Sequence, residues 1–443
     1  MENMQTLKIG YCRENFSPDG PVRMNYQLTS TYVLEPICVT ALSVSQGDKR
    51  VLIIGMDLRN IYTSFVSKVL PMVMEATGLA EDAVIFTCTH NHSCPEVMIP
   101  KDEAIGDWCA RIGFPAIVRA AQNAIADEKA VLHMEGGRAY TENLNYVRRY
   151  IREDGTYVGI ATGNTSKAPI VAHESQADPE LRAVRICREG GKDVILVNYQ
   201  VHAAGALGKH KDAINADFVG PLRDTLEEDG KCHVLYLQGA CGNLNYSTRV
   251  ESEKPKMPEG YRQVGVALAT VVREALSRTQ PMGMGKLQSW MGVLNCDVNH
   301  TTDHLAPVAQ AITDEADPEK QKEMMEASGI HSRFLRKAII RRADMPQKQP
   351  MELAAISFGD FAMVFASVEM FDTNGIQLRN ASAFPMTFSC GYSLNCHGYM
   401  PSAYAYAHGE YEADICRFLP GTGETIALTL CAKLQEMKKN ESK

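Results

Sequence analysis

Two histidines one residue apart, His90 and His92, follow directly on an apolar run in Val84-Ile85-Phe86-Thr87-Cys88-Thr89-His90-Asn91-His92-Ser93-Cys94-Pro95. On an extended chain, residues two apart face the same way. Two imidazoles at the C-terminal end of a strand can therefore aim at one point, which is where α/β sheets place their ligands. Imidazole is a preferred ligand of zinc. A hydrogen-bonded pair of histidines at a strand end would have the same sequence, and the motif alone does not separate the two readings.

Three further segments carry residues of the right type. The run Val194–Val197 leads through Asn198-Tyr199-Gln200-Val201 to His202, then into a stretch rich in Gly, His and Asp that continues Gly208-Lys209-His210-Lys211-Asp212-Ala213-Ile214-Asn215-Ala216-Asp217-Phe218. Such a composition suits a site loop, and with His90 as a partner His202 reads as a ligand. The run Phe361–Val368 ends on Glu369, where a strand should be buried. Buried carboxylates are rare unless they are paired, hydrogen-bonded or bound to metal. The alternative for Glu369 is a first-turn acid stabilising a following helix. Last, Cys390 to Glu412 is dense in tyrosine (Tyr392, Tyr399, Tyr404, Tyr406, Tyr411) and lacks clear periodicity. It is either a packed surface loop or a site loop, since long irregular segments in compact domains are often functional.

The elements that must position these residues alternate along the chain. Strand-type runs occur at Val51–Met56, Ala83–Cys88, Ala183–Cys187, Val194–Val197, His233–Leu237, Leu353–Phe358 and Phe361–Ser367. Helical patterns fall at Tyr62–Thr77, Ala104–Asp127, Phe218–Glu228 (with Asp217 as its N-cap), Met257–Thr279 and Gly423–Lys439. The expectation is an α/β fold: a large layered domain with mixed β-sheets and flanking helices. One stretch differs. Residues 303–349 are charge-dense and mostly helical, with Arg333, Arg336, Lys337, Arg341 and Arg342, and are ended by Pro346 and Pro350. They read either as a solvated surface helix or as a lid or partner-binding insertion. Lys438 to Lys443 reads as a frayed polar tail.

Composition narrows the class. With 443 residues, 45% hydrophobic and 22% charged, the chain is globular and long enough for one large domain or two intimate ones. A net charge of -8 argues against a broad nucleic-acid face. The N-terminus shows no apolar signal region, and no apolar run is long enough to span a bilayer. Thirteen cysteines are therefore expected as reduced thiols in a cytoplasmic protein, mostly as small buried hydrophobes.

These motifs, taken in order, resemble the neutral/alkaline non-lysosomal ceramidase family, in its N-terminal catalytic domain. Thr89-His90-Asn91-His92-Ser93 is similar to the family's Thr-His-Thr-His-Ser. Asn145-Tyr146-Val147-Arg148-Arg149 is loosely similar to its Asn-Arg segment. His202 with Asn215-Ala216-Asp217-Phe218 resembles its second His segment and the polar loop beyond. Gly242-Asn243-Leu244-Asn245 resembles its Gly-Asp-Val-Ser. Glu369, Gly398-Tyr399-Met400-Pro401-Ser402 and Tyr411-Glu412 resemble its late Glu, its Tyr-Ile/Val-Thr/Pro-Thr block and the Tyr-Glu after it.

The resemblance implies a single catalytic domain over 1–443, with a charged helical insertion at about 303–349. It implies one Zn2+ held by His90, His202, Glu369 and Tyr399, the last preferred over Tyr404 and Tyr406 because Met-Pro-Ser follows it. His92 would lie beside the metal as a proton shuttle. Tyr411 would sit near the substrate carbonyl. Arg148, or failing it Arg149, would face a substrate oxygen. The expected reaction is attack of metal-activated water on an amide carbon.

Two departures bear on substrate. Asn245 stands where the family has a serine implicated in catalysis, and Ser247 is out of register. The chain also ends without room for the family's C-terminal immunoglobulin-like module. The expectation is a hydrolase of a small molecule, smaller or more polar than ceramide, with no nucleic-acid partner and no transmembrane segment. A zinc hydrolase of esters or sugar-linked amides, and an inactive metal-containing binding protein, are the alternatives. A metallo-β-lactamase would want His-x-His-x-Asp-His, and Ser93-Cys94-Pro95 follows here instead.

Overall fold

The structure, a computed structural model, describes residues 5–98, 102–160, 166–205 and 210–441. Residues 206–209 of the Gly/His/Asp-rich stretch and the last two of the polar tail lie outside the described residues. All seven strand runs read from the sequence are strands, with ends shifted by a few residues. The chain is mixed α/β, built on a nine-stranded mixed sheet with flanking helices.

That sheet runs, edge to edge, Cys232–Gln238, Asp193–Tyr199, Glu180–Arg188, Lys129–Tyr140, Leu7–Asn15, Cys38–Gln46, Lys49–Met56 and Val84–Cys88, with Gln280–Met282 added on Lys129–Tyr140. Its interior pairs are antiparallel, but the outermost pair at each edge is parallel. The alternation of side chains along each strand divides the core. Leu52 and Ile54 face the helices Thr63–Thr77 and Phe114–Ala126. Val51 and Ile53 face the second sheet, where they meet Ile356, Phe358, Phe361 and Phe365. This is the period of two expected of strands buried on both sides.

The second sheet has four strands in the order Gln288–Asp297, Lys348–Phe358, Phe361–Ala366, Met386–Cys390. Its outer face is covered by the helix Thr422–Glu441 and by Leu378 of Asp372–Ala381. The layers are thus helix, sheet, sheet, helix. Among the described residues no helix is long and apolar enough to cross a membrane, and all thirteen cysteines are free thiols.

Several expectations are corrected. The helix expected over Ala104–Asp127 is broken by a π-turn at Cys109–Gly113, just ahead of Pro115, which cannot supply an amide to a regular helical ladder. Asp217 does not cap the helix Val219–Glu227. It turns to φ 50°, accepts from the Phe218 amide at 2.7 Å and from the Gly205 amide at 2.9 Å, and so pins the loop after His202. Pro350 does not end the charged stretch but lies inside the strand Lys348–Phe358. It is tolerated because that part of the strand pairs on one side only, with Gln288–Asp297. The polar tail is helical through Glu441, with Met437 buried beneath it and Lys438 bonded to Glu441 at 2.8 Å.

The charged stretch folds as three helices, Ala306–Asp314, Pro318–Ser328 and Arg333–Ala343. They enclose a small core of their own, Ala309, Ile312, Ile330 and Ile339.

Candidate metal centre

His90, His92 and His202 come together at the ends of strands, as their spacing suggested. His90 follows the edge strand Val84–Cys88, and His202 follows Asp193–Tyr199 near the opposite edge. Their ligand-type nitrogens all lie within 4.8 Å of one another, and all three side chains are buried. His90 has φ 58°, a left-handed conformation that non-glycine residues rarely adopt and that is typically retained where function requires it.

Hydrogen bonds fix how the rings point. His90 Nδ1 bonds to the Arg59 carbonyl at 2.9 Å, and His202 Nδ1 to the Cys241 carbonyl at 2.8 Å. A carbonyl only accepts, so both Nδ1 atoms carry the proton and both Nε2 atoms present a lone pair inward. This is the outer support by which ligating histidines are held. For His92, Arg59 donates to the Asn25 Oδ1 at 3.0 Å, which leaves the Asn25 Nδ2 to donate to His92 Nδ1 at 3.0 Å. The proton of His92 is then on Nε2, 3.1 Å from His90 Nε2. The hydrogen-bonded pair and the metal-type cluster, competing readings of the motif, are therefore both features of one arrangement.

Glu369 enters from the second half of the molecule. It is not a first-turn helix acid. It lies in the two-residue strand Glu369–Met370, paired in parallel with Tyr399–Met400, and the following helix starts at Asp372. Its Oε2 is 3.5 Å from His90 Nε2 and 3.9 Å from His202 Nε2. Gly242 allows this approach, since a Cβ there would meet the Glu369 carbonyl oxygen at 2.4 Å.

His202 Nε2 and Glu369 Oε2, both buried lone-pair atoms, have no hydrogen-bond partner among the described residues. Each orphaned buried polar atom costs about 1–3 kcal/mol. Burial holds all three histidines well below their usual pKa and so neutral. Burial also raises Glu369 to about 7, against the pull of the Arg148 and Arg59 guanidiniums. Neutral imidazoles and a carboxylate aimed at one point, with the lone pairs of His202 Nε2 and Glu369 Oε2 unspent, are a donor set that could hold a metal ion.

Tyr399 accepts from Arg148 Nη2 at 2.9 Å and also bonds to Glu369. Tyr404 and Tyr406 lie elsewhere: Tyr404 is exposed with its hydroxyl on Tyr157, and Tyr406 is bonded to Asn299. Arg148 is held through Nε by Glu412 at 2.9 Å and through Nη2 by the Gly242 carbonyl at 2.8 Å, and among the described residues Nη1 makes no hydrogen bond. Arg149, the fallback, is taken up by Glu174, Glu412 and the carbonyls of Ala405 and Gly409. The Tyr411 ring stands 5.7 Å from that of Tyr399, edge to face. Asn245 is half-buried on the short strand Leu244–Asn245, opposite Tyr146, and Ser247 is exposed.

Sequence reasoning assigned no role to four supports of this site. Glu412 is fully buried and binds both arginines. The Tyr392 ring packs tilted against that of His90, with centroids 4.0 Å apart. Asn25 sets the tautomer of His92. Asn243, also buried, exchanges hydrogen bonds with Asp372 at 2.7 and 3.0 Å. Glu412 and Asn243 stood inside quoted motifs and Tyr392 in the tyrosine-rich segment, whereas Asn25 had no signal in the sequence.

No known protein-family profile matches the chain, and no curated protein sequence matches it. Among solved structures it is similar to the neutral ceramidase from Pseudomonas aeruginosa, with a TM-score of 0.70 at 15% identity over 98% of this chain and 75% of that one. It is also similar to a ceramidase complexed with C2, with a TM-score of 0.69 at 13% identity over 98% and 76%. The chain has the ceramidase fold.

Proposed function

We propose that the protein is a zinc-dependent hydrolase that cleaves a C–N amide bond, with His90, His202, Glu369 and Tyr399 as metal ligands. The observation that carries this is the convergence of His90, His202 and Glu369 with two orphaned lone-pair atoms, on a fold shared with ceramidases. Zinc bound there would supply a Lewis acid and lower the pKa of a coordinated water to about 7.

The remaining chemistry falls to side chains of the chain. His92 carries its proton on Nε2 inside the cluster, where it can pass a proton to a departing amine. Tyr411 stands beside Tyr399 and can donate to the oxygen that gains charge in the tetrahedral stage. Arg148 fixes Tyr399 and offers Nη1 to a substrate oxygen. At Asn245 the chain has an amide that can bind but cannot act as a nucleophile. That departure, with the polar surroundings of Arg148 and Glu412, supports a substrate smaller or more polar than ceramide.

The test is a panel of N-acyl amides, acyl esters and N-acylated sugars at constant zinc. Turnover confined to amides supports the reading. Turnover of esters or N-acyl sugars alone would replace it with the corresponding hydrolase, and tight ligand binding without turnover would point to a binding protein on the same fold.

A further inference from the structure

The segment that carries Tyr411 and Glu412 is the six-residue helix Glu410–Ile415. Helices this short do not persist unaided in water, so tertiary contacts must set its position. On its inner side Glu412 bridges Arg148 and Arg149. On its outer side it is gripped by the three-helix insertion. His331 bonds to Asp414 at 2.8 Å and Ser332 to the same carboxylate at 3.3 Å. Arg342 donates to the carbonyls of Asp414 at 3.1 Å and Cys416 at 2.8 Å, and Arg341 to that of Ile415 at 3.1 Å. Phe334 sets its ring edge to face on Tyr411 at 5.0 Å, with Arg333 stacked behind it at 4.7 Å.

Arg341 and Arg342 are thus spent on the end of this helix, while Arg336 bonds within the insertion to the Ile312 carbonyl and Arg333 and Lys337 are exposed. An aromatic series runs Phe334, Tyr411, Tyr399, from the insertion to the candidate metal centre. An edge-to-face pair fixes the tilt of a ring, which a simple apolar contact does not.

We propose that the insertion is a wall of the reaction site and that Phe334 is a positioning residue, holding Tyr411 for the hydrogen bond it makes to the reacting oxygen. The inference rests on the amidase reading above. If Tyr411 acts only as charge develops, its misplacement lowers kcat and kcat/KM together and leaves KM alone. A residue that acts through Tyr411 must also lose its effect once the hydroxyl is gone.

The experiment is a double-mutant cycle on the full, zinc-loaded chain with a short-chain N-acyl p-nitroanilide, alongside hydrogen exchange of the Glu410–Ile415 amides. Phe334→Leu should lower kcat about tenfold with KM within about twofold, and should speed exchange in that helix while the nine-stranded sheet stays protected. Phe334→Tyr, which keeps the ring, should restore both. In a Tyr411→Phe background Phe334→Leu should have no further effect on kcat. Unchanged exchange in Phe334→Leu, or a kcat effect fully additive with Tyr411→Phe, would overturn the proposal. Lack of turnover in the wild type would instead sink the amidase reading, and the exchange result would still decide whether the insertion holds the helix.

Discussion

Two buried charged clusters in this molecule use similar residues to opposite ends. In one, Asp57 and Arg223 meet in a two-pronged ion pair at 2.7 and 2.8 Å, and the same carboxylate accepts from the Cys38 amide at 2.8 Å. Both carboxylate oxygens are used, and what remains over is the N–H of Arg223 Nε. In the other, around Glu369, Arg59 Nε likewise remains over, but so do His202 Nε2 and Glu369 Oε2, both lone pairs. A spare N–H cannot hold a cation; spare lone pairs converging from two sheets can. Burial of charge is common to both clusters, so it is the kind of atom left unsatisfied that marks the candidate site.

Breaking each cluster should therefore give different results. The largest effect on folding is expected from Arg223→Ala, which strands a buried carboxylate and should cost about 3–5 kcal/mol in denaturant unfolding. Zinc content should not change, and loss of zinc in that folded variant would erase the distinction. His202→Ala should do the reverse. If four ligands together provide about 10–16 kcal/mol of zinc affinity, one is worth about 3–4, or roughly a 10²–10³-fold loss in a competition titration. Unfolding of the metal-free protein should move less than in Arg223→Ala, because no charge is stranded and the loss of the buried ring and its bond to the Cys241 carbonyl is partly offset by removal of an orphaned atom.

A smaller change is expected at Asn245. Asn245→Ser should raise turnover of acyl amides by at least about tenfold, a modest part of what a well-placed reacting group contributes. Equal turnover in both proteins would remove Asn245 from the account of substrate choice.

The smallest effect concerns the contact between the insertion and the helix Glu410–Ile415. The Asp414 carboxylate, with help from Glu410 and the Gly329 carbonyl, raises the pKa of His331 above its usual value, partly offset by burial. A raised folded-state pKa gives stability that is complete below about pH 6.5, the unfolded value, and is lost as pH rises through the folded one. His331 is nearly half exposed, so the contribution is under about 1 kcal/mol. The difference in Tm between wild type and His331→Ala should accordingly shrink from pH 6 to pH 8. A difference that grew with pH would contradict the pairing.

What could be read from the sequence follows the same division. His90 and His202 were legible because each follows a strand written as an apolar run, and strand ends have a predictable place in an α/β sheet. Glu369 and Tyr399 sit on two-residue strands that no periodicity can reveal: Glu369 was singled out only as a carboxylate ending an apolar run, with a first-turn helix acid as the alternative, and Tyr399 was chosen among the late tyrosines by family resemblance. The strands Leu7–Asn15 and Cys38–Gln46 were passed over because charged and small polar residues interrupt them, although both lie inside the sheet. Residues 303–349 were legible as charged helices, but not where they dock. Arg336, Arg341 and Arg342 bond to backbone carbonyls, which leave no trace in residue identity.

The central claim is that the lone pairs of His90, His202 and Glu369 hold one zinc ion. The most direct measurement is the metal content of protein purified without chelator, wild type beside a His90→Ala/His202→Ala double variant of matched circular dichroism. The account predicts one zinc per wild-type chain and none in the double variant. Full zinc occupancy in the double variant would contradict it.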